Sequence, residues 1–427
     1  MTTFDLPRPL PMADLATISD DEIVVTGLGA VSGGGWGWRP LWRTLLTGET
    51  VIRPVERFDV TTHRTRHAAE VPDAGPDERL DIRAPSSRWW SLADRYAIGA
   101  TVEALDDAGL TGSDRLTPAG VYFASSTGGM WKAESFFAGL TGNGPRRPAK
   151  TVGSQDYSGP GDAVARYVGC TGPVESHSTA CSSSTLAIGA ALDALRDGEI
   201  DIALAGGSDG LCQLTYAGFN SLRAVAAEAC RPFRGDRDGM SLGEGAAVLV
   251  LETARHARAR GASAWAVLAG AGGSCDAGHM TAPSKDGEGP KRAVEAALAD
   301  AALDADAIAF VNAHGTGTPR NDAAEAAALG TVFGARIGSL PITSTKGSVG
   351  HLLGSAGSLE ALVTVLSLVA GVVPPTPGDG DVDPAIEVDL VRDVPRQLDA
   401  QAHHGLTLNL AFGGANAALI FSRACQS

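Results

Sequence analysis

Residues 174–198 read VESHSTACSSSTLAIGAALDALRDG, and the change of pattern inside them decides the fold. VESHSTA, residues 174–180, reads as a strand, whereas the stretch from Cys181 onward carries apolar residues at helical spacing and closes on Gly198, as a helix C-cap does. Strand therefore runs straight into helix, with Cys181 at the junction. Downstream, IDIALAGG (200–207) and GAAVLVLE (245–252) are further buried strands, the second leading into the basic helix TARHARARGA. Upstream, IVVTGLGAVS begins a strand at Ile23, a helix covers 92–109 and ends on Gly109, and VYFAS (121–125) runs into the loop SSTGGM (125–130). Consecutive strand and helix units predict an α/β body with a largely parallel sheet covered on both faces. After Trp265 the pattern restarts: strand 265–271, helix 289–303, strand 308–314, helix 322–333, strand 342–344, helix 357–371. The organisation predicted is a flexible tail over 1–21 and two similar α/β halves, 22–264 and 265–427. The Pro-, Gly- and Asp-rich segment 374–400 reads as an ordered surface loop, and LTLNLAFGGANAALIFS (406–422) as a terminal hairpin bent at Phe412-Gly413-Gly414.

The bulk numbers fit a globular enzyme, since 427 residues give ample core and 44% hydrophobic with 19% charged residues is ordinary. A net charge of −15 argues against a nucleic-acid binder, which needs clustered cations to displace counterions. The six cysteines (170, 181, 212, 230, 275, 425) are scattered, without a C-x-x-C pair, and read as reduced thiols. The first twenty residues hold prolines and acids but no continuous apolar stretch, so no signal peptide is expected. The most apolar run, Val363 to Val373, is shorter than the ~20 residues a bilayer crossing needs. A cytoplasmic protein without a membrane span is the expectation.

Three segments place a reactive side chain at a strand end beside small residues. In Ser178-Thr179-Ala180-Cys181-Ser182-Ser183-Ser184, a thiol at a helix N-terminus feels the positive end of the macrodipole, which favours the nucleophilic thiolate. Taken singly, it could equally be a small buried cysteine. Asn312-Ala313-His314-Gly315-Thr316-Gly317-Thr318-Pro319 puts His314 at the end of a strand, and Ser344-Thr345-Lys346-Gly347-Ser348-Val349-Gly350-His351 puts a lysine and a histidine in one glycine-containing loop. Either histidine alone reads more readily as a hydrogen-bonding core group than as a catalyst. Gly27-Leu28-Gly29-Ala30-Val31-Ser32 half matches a dinucleotide fingerprint but lacks its third glycine, and there is neither a Walker A sequence nor a plausible zinc set. No cofactor and no metal are expected.

Together the three segments resemble the thiolase-superfamily condensing enzymes, most closely the elongating β-ketoacyl-[acyl-carrier-protein] synthases of fatty-acid and type II polyketide systems. Gly278-His279-Met280-Thr281-Ala282-Pro283, Asp236-Arg237-Asp238-Gly239, Gly243-Glu244-Gly245-Ala246 and Phe412-Gly413-Gly414-Ala415-Asn416 extend the resemblance in the family's order over about residues 22–422. The resemblance implies a thiolase-like fold whose two halves form a layered αβαβα body. It implies that Cys181 takes an acyl chain from a carrier-protein thioester, with the N–H groups of Cys181 and Phe412 as oxyanion hole. His314 and His351 would polarise a malonyl thioester for decarboxylative Claisen condensation. Lys346 would supply nearby positive charge, held through an ion pair by Glu325, and Phe412 would gate the acyl chain. Thr316 and Thr318 would bind the phosphopantetheine arm, and Thr127 would line the acyl pocket. The implied partners are an acyl-carrier protein, docking near Arg64, Arg66 and Lys132, and a second subunit, as a homodimer or as a heterodimer with a chain-length partner. The main rival is a non-catalytic chain-length-factor-like partner, which would typically lack the active cysteine. A degradative thiolase would need a second cysteine where Phe412 stands, and Cys425 lies beyond that hairpin.

Overall fold

The computed structural model describes residues 6–15, 17–73 and 87–424; Cys425 lies outside them. Ten strands and six helices carry the site. In the first half these are β1 (Ile23–Ser32), α1 (Leu92–Asp107), β2 (Gly120–Ala124), α2 (Gly159–Val168), β3 (Val174–His177), α3 (Ser183–Arg196), β4 (Ile202–Asp209) and β5 (Gly245–Thr253). The second half holds β6 (Ala266–Cys275), α4 (Glu288–Asp300), β7 (Ile308–Asn312), α5 (Pro319–Phe333), β8 (Pro341–Thr343), α6 (Ala356–Ala370), β9 (His404–Leu410) and β10 (Ala415–Arg423).

The strands run β3-β2-β4-β5-β1 in the first half and β6-β10-β9-β7-β8 in the second, joined where β1 meets β6. Read from the junction outward, both halves follow the same order: first strand, last strand, then the three between. The expected two similar halves are therefore present, but the sheet is mixed rather than largely parallel. Parallel pairing joins β2 to β3 and β4, and β7 to β8 and β9, with the short strand Asp389–Leu390 added in parallel outside β8. The pairs β1–β5, β5–β4, β6–β10 and β10–β9 are antiparallel. Chain 210–244 folds over the end of the sheet at which β4 leaves, so that Gly245 pairs with Asp209 and β5 returns in the opposite sense. Alternation of strands and helices counts elements without fixing that return.

Helices α3 and α6 pack on each other and against strands of both halves, while α1 and α2 cover the outer face of one half and α4 that of the other. The result is the αβαβα layering, with the main apolar core around α3 and α6. Leu353–Ala370 is apolar and long enough to cross a membrane by composition alone, but 89% of it is buried inside the body, the setting of a core helix. The Gly27-Leu28-Gly29 stretch has a packing role. A Cβ on Gly27 would lie 2.2 Å from the Ala104 carbonyl oxygen and one on Gly29 1.9 Å from that of Ala100, so these glycines let α1 sit directly on β1. Ser91 and Asp94 start α1 as a reciprocal capping box.

The described residues from Leu10 to Ile18 depart from the flexible tail expected over 1–21. Leu10–Pro11 pairs with Ser263–Ala264, and Met12, Leu15 and Ile18 are buried against Val24, Ala254, Ala257 and Val267. Arg258 donates to the carbonyl oxygens of Leu15 and Ile18. Apolar residues three apart are enough to dock a segment whose average composition is polar and Pro-rich. Deleting residues 1–18 is expected to lower stability substantially, since burying each of these three side chains contributes about 1.5–3 kcal/mol. A denaturant midpoint unchanged from the full chain would contradict this packing.

Candidate active site

Cys181 stands at the end of a strained elbow. Ala180 has φ 56°, left-handed backbone that a residue with a Cβ seldom adopts, and a tight turn over Ala180–Ser182 opens into α3. Local hydroxyls fasten the turn: Ser183 Oγ accepts from the Thr179 N–H at 2.8 Å and donates to the Ala180 carbonyl at 2.5 Å, while Ser182 Oγ lies 3.1 Å from Thr179 Oγ1. The cysteine is only 6% exposed. Burial pushes its thiol up to about 11, against the pull of Lys346 and of the Phe412 N–H directed at the sulfur. This corrects the expectation of a helix-stabilised thiolate: desolvation outweighs the favourable charges, and the resting group is a thiol.

His314 follows β7 and His351 follows the helical turn Lys346–Val349. Their rings meet edge to face with centroids 5.2 Å apart, and the cysteine sulfur and one nitrogen of each imidazole all lie within 4.8 Å of one another. The backbone of His351 is pinned in the molecule's interior, its N–H donating to Ser241 O at 2.7 Å and its carbonyl accepting from Gly243 at 2.9 Å. Hydrogen bonds fix both tautomers. The Leu353 N–H donates to His351 Nδ1 at 3.1 Å, and the Asn409 amide donates to His314 Nδ1 at 3.2 Å. With Nδ1 acting as acceptor, each neutral ring carries its proton on Nε2. His351 Nε2 is buried with no hydrogen-bond partner among the described residues. Burial and the Lys346 ammonium hold both imidazoles well below the ordinary 6.5, so they are neutral donors at physiological pH. A sulfur and two imidazoles at this spacing are metal-ligand types. With both Nε2 atoms protonated and an ammonium close by, however, the set is built to donate hydrogen bonds to developing negative charge.

Glu325 does not hold Lys346 as expected. Its carboxylate accepts from the backbone N–H groups of His314 (2.6 Å) and Gly315 (2.8 Å), which shapes the His314 loop, and burial pushes it up to about 8. Lys346 instead pairs with Glu360 of α6, each side chain 1% exposed. Glu360 also accepts from Asn409 at 2.6 Å, and Asn409 accepts from Thr185 at 2.6 Å. An ion pair thus continues through Asn409 to His314. Glu360 and Asn409 were not singled out from the sequence, although each left a signal: an acid inside the apolar run AGSLEALVTVLSLVA, and an amide inside the strand LTLNL.

Thr316, buried, and Thr318, half-buried, both line the cleft, their hydroxyls 3.0 Å apart. Thr127 does not line this cleft. Its hydroxyl donates to Asp209 at 2.7 Å, and the same buried carboxylate accepts from the N–H groups of Thr127 (2.7 Å) and Gly354 (2.7 Å), tying the loop after β2 to the turn that follows His351. Of the cations considered for docking, Arg64 donates to Val225 O and Lys132 to Arg88 O. The cleft itself is narrow, about 40 Å³, lined by Cys181, His314, His351, Thr316, Thr318 and Phe412 among others. Phe412 stacks on Phe219, ring centroids 5.9 Å apart.

Fold and cleft together define a thiolase-like condensing enzyme, an acyltransferase. The chain belongs to the β-ketoacyl synthase family: the N-terminal domain of that family matches residues 20–257 and its C-terminal domain residues 265–378. It is 37% identical over 420 residues to the 3-oxoacyl-[acyl-carrier-protein] synthase 2 of Vibrio harveyi, covering 96% of this chain and 100% of that one. A β-ketoacyl synthase from Burkholderia phymatum superposes with a TM-score of 0.87 at 35% identity, over 94% of this chain and 99% of the other. The ishigamide ketosynthase/chain length factor superposes with a TM-score of 0.86 at 33% identity, with the same coverage of 94% and 99%.

Because Lys346 and Glu360 are both buried, Glu360→Ala is expected to destabilise the protein by about 3–5 kcal/mol through the uncompensated ammonium. Replacing both, Lys346→Met with Glu360→Leu, should recover much of that loss in urea denaturation. Additive losses would show that the two charges do not depend on each other.

Proposed function

We propose that this enzyme elongates acyl chains held on a carrier protein, and that Cys181, His314 and His351 carry the chemistry. The observation that carries this reading is the convergence of a nucleophilic thiol and two Nε2–H donors on one small cleft. In the first half-reaction Cys181 Sγ attacks the acyl thioester carbonyl, the Cys181 and Phe412 N–H groups receive the oxyanion, and the phosphopantetheine thiol leaves with a proton. In the second, a malonyl thioester places its carbonyl oxygen against the two imidazole N–H donors. Its C–C bond to the carboxylate breaks, CO2 departs, and the electron pair becomes the enolate those donors stabilise. The enolate carbon attacks the acyl-Cys181 carbonyl, the C–S bond breaks, and the departing thiolate takes a proton from solvent, which offsets the charge the malonyl carboxylate brought in. Lys346 keeps the neighbouring potential positive.

A 40 Å³ cleft holds little more than a water or two, so an acyl chain enters only if its wall moves. Phe412 is the candidate gate, because Gly413 and Gly414, both at positive φ (88° and 83°), follow it as a hinge. Thr316 and Thr318 are assigned to the phosphopantetheine arm. The nucleophile and both imidazoles disfavour a non-catalytic chain-length role. The partners in this reading are an acyl-carrier protein and a second chain of the same fold, in fatty-acid or type II polyketide synthesis in the cytoplasm. The edge strand β3, with Val174 41% exposed, is the face offered to that second chain.

The experiment is intact-mass analysis with acyl- and malonyl-carrier protein. The wild type should gain an acyl adduct and extend it by two carbons, while Cys181→Ala should do neither. His314→Ala and His351→Ala should still acylate but lose decarboxylation by about 10²–10³-fold each. A wild type that neither acylates nor elongates would overturn the reading. Since the neutral imidazoles are the working form and both are held well below 6.5, decarboxylation should stay flat as pH falls through 6.5, with its acid limb lower. A limb at 6.5 or above would contradict the burial of the pair.

A further inference from the structure

Arg320 sits in the first turn of α5 and lines the mouth of the cleft that leads to Cys181. It is exposed, and among the described residues it has neither a hydrogen bond nor an ion pair. No carboxylate lines the cleft among the described residues, so in a chain of net charge −15 the one formal charge at this mouth is positive. That placement opposes local electrostatics, because a cation in the first turn of a helix faces the positive end of the macrodipole. Arg64 and Lys132 are tied to backbone carbonyls, whereas this guanidinium is left open to solvent. Thr316, Thr318 and Arg320 follow at alternate positions from the buried imidazole outward, hydroxyl, hydroxyl and guanidinium, all lining the same cleft.

We propose that Arg320 holds the phosphate at the outer end of the phosphopantetheine arm, setting how far the thioester reaches toward Cys181. The proposal rests on the reading of the cleft as a site for phosphopantetheine thioesters. The malonyl carboxylate is a poorer candidate ligand, because it travels at the reacting end of the arm, among buried groups, while Arg320 stays at the exposed mouth. A guanidinium suits a phosphate through paired N–H donors in one plane.

The test compares decarboxylation of malonyl-phosphopantetheine with that of malonyl-pantetheine, neither attached to a carrier protein, by wild type, Arg320→Gln and Arg320→Lys. Arg320→Gln should raise KM for the phosphate-bearing substrate about three- to tenfold, the range of one partly exposed charged hydrogen bond, with kcat unchanged. KM for malonyl-pantetheine should not move, and Arg320→Lys should recover part of the loss. An equal change on both substrates, or none on either, overturns the assignment. A third arm uses malonyl-carrier protein, and a defect of Arg320→Gln seen only there likewise overturns the assignment, because it would make the partner's acidic surface the ligand. A wild type that decarboxylates neither substrate overturns the condensing-enzyme reading itself, a result distinct from one in which the wild type works on both without preferring the phosphate.

Discussion

The buried pair of Lys346 and Glu360 is the constraint on which the site is built. An ammonium with almost no exposure needs a countercharge close at hand, and supplying it from α6 fixes the loop of Lys346 against the helix at the centre of the molecule. The remaining oxygen of Glu360 orients Asn409, and Asn409 in turn orients His314. The same ammonium helps to keep both imidazoles neutral and lowers the cost of negative charge in the cleft. One ion pair therefore sets position, tautomer and protonation state together.

A second framework joins the remaining parts. Asp209, at the end of β4, accepts hydrogen bonds from the loop after β2 and from Gly354, just beyond the residue that sets the His351 tautomer. Ser126, in that same loop, also donates to the Ala180 carbonyl at 3.4 Å. The first half of the fold thus reaches into the second, where both histidines reside, and braces the nucleophile elbow. Duplication of the half-sheet gives the chain two sets of strand ends. Packing α3 against α6 brings the reactive ones together.

The reactive residues were legible because glycine, serine and threonine around Cys181, His314 and His351 mark turns at strand ends, where a side chain can face a cavity. Their supports were harder to see. The family resemblance implied a pairing of Glu325 to the lysine, but the His314 and Gly315 N–H groups, eleven and ten residues before it in the chain, claim its carboxylate. Glu360 is fourteen residues from Lys346 inside an apolar helix, where only a buried partner justifies a carboxylate. Strand direction was hidden for a different reason in the first half, since the return of β5 depends on how chain 210–244 crosses the sheet end, whereas that of β10 was legible as a hairpin bent at Phe412-Gly413-Gly414. The docked N-terminal segment was hidden because composition averages over the spacing of Met12, Leu15 and Ile18.

The edge strand Val174–His177 ends only four residues before the nucleophile, with the strained Ala180 between them. This short, stiff connection has little slack to absorb a shift in the strand. A chain hydrogen-bonded along that edge would share a backbone frame with the sulfur itself. Subunit registry and nucleophile placement would then form one mechanical variable, so that a slip at the seam is felt as a misaimed thiol.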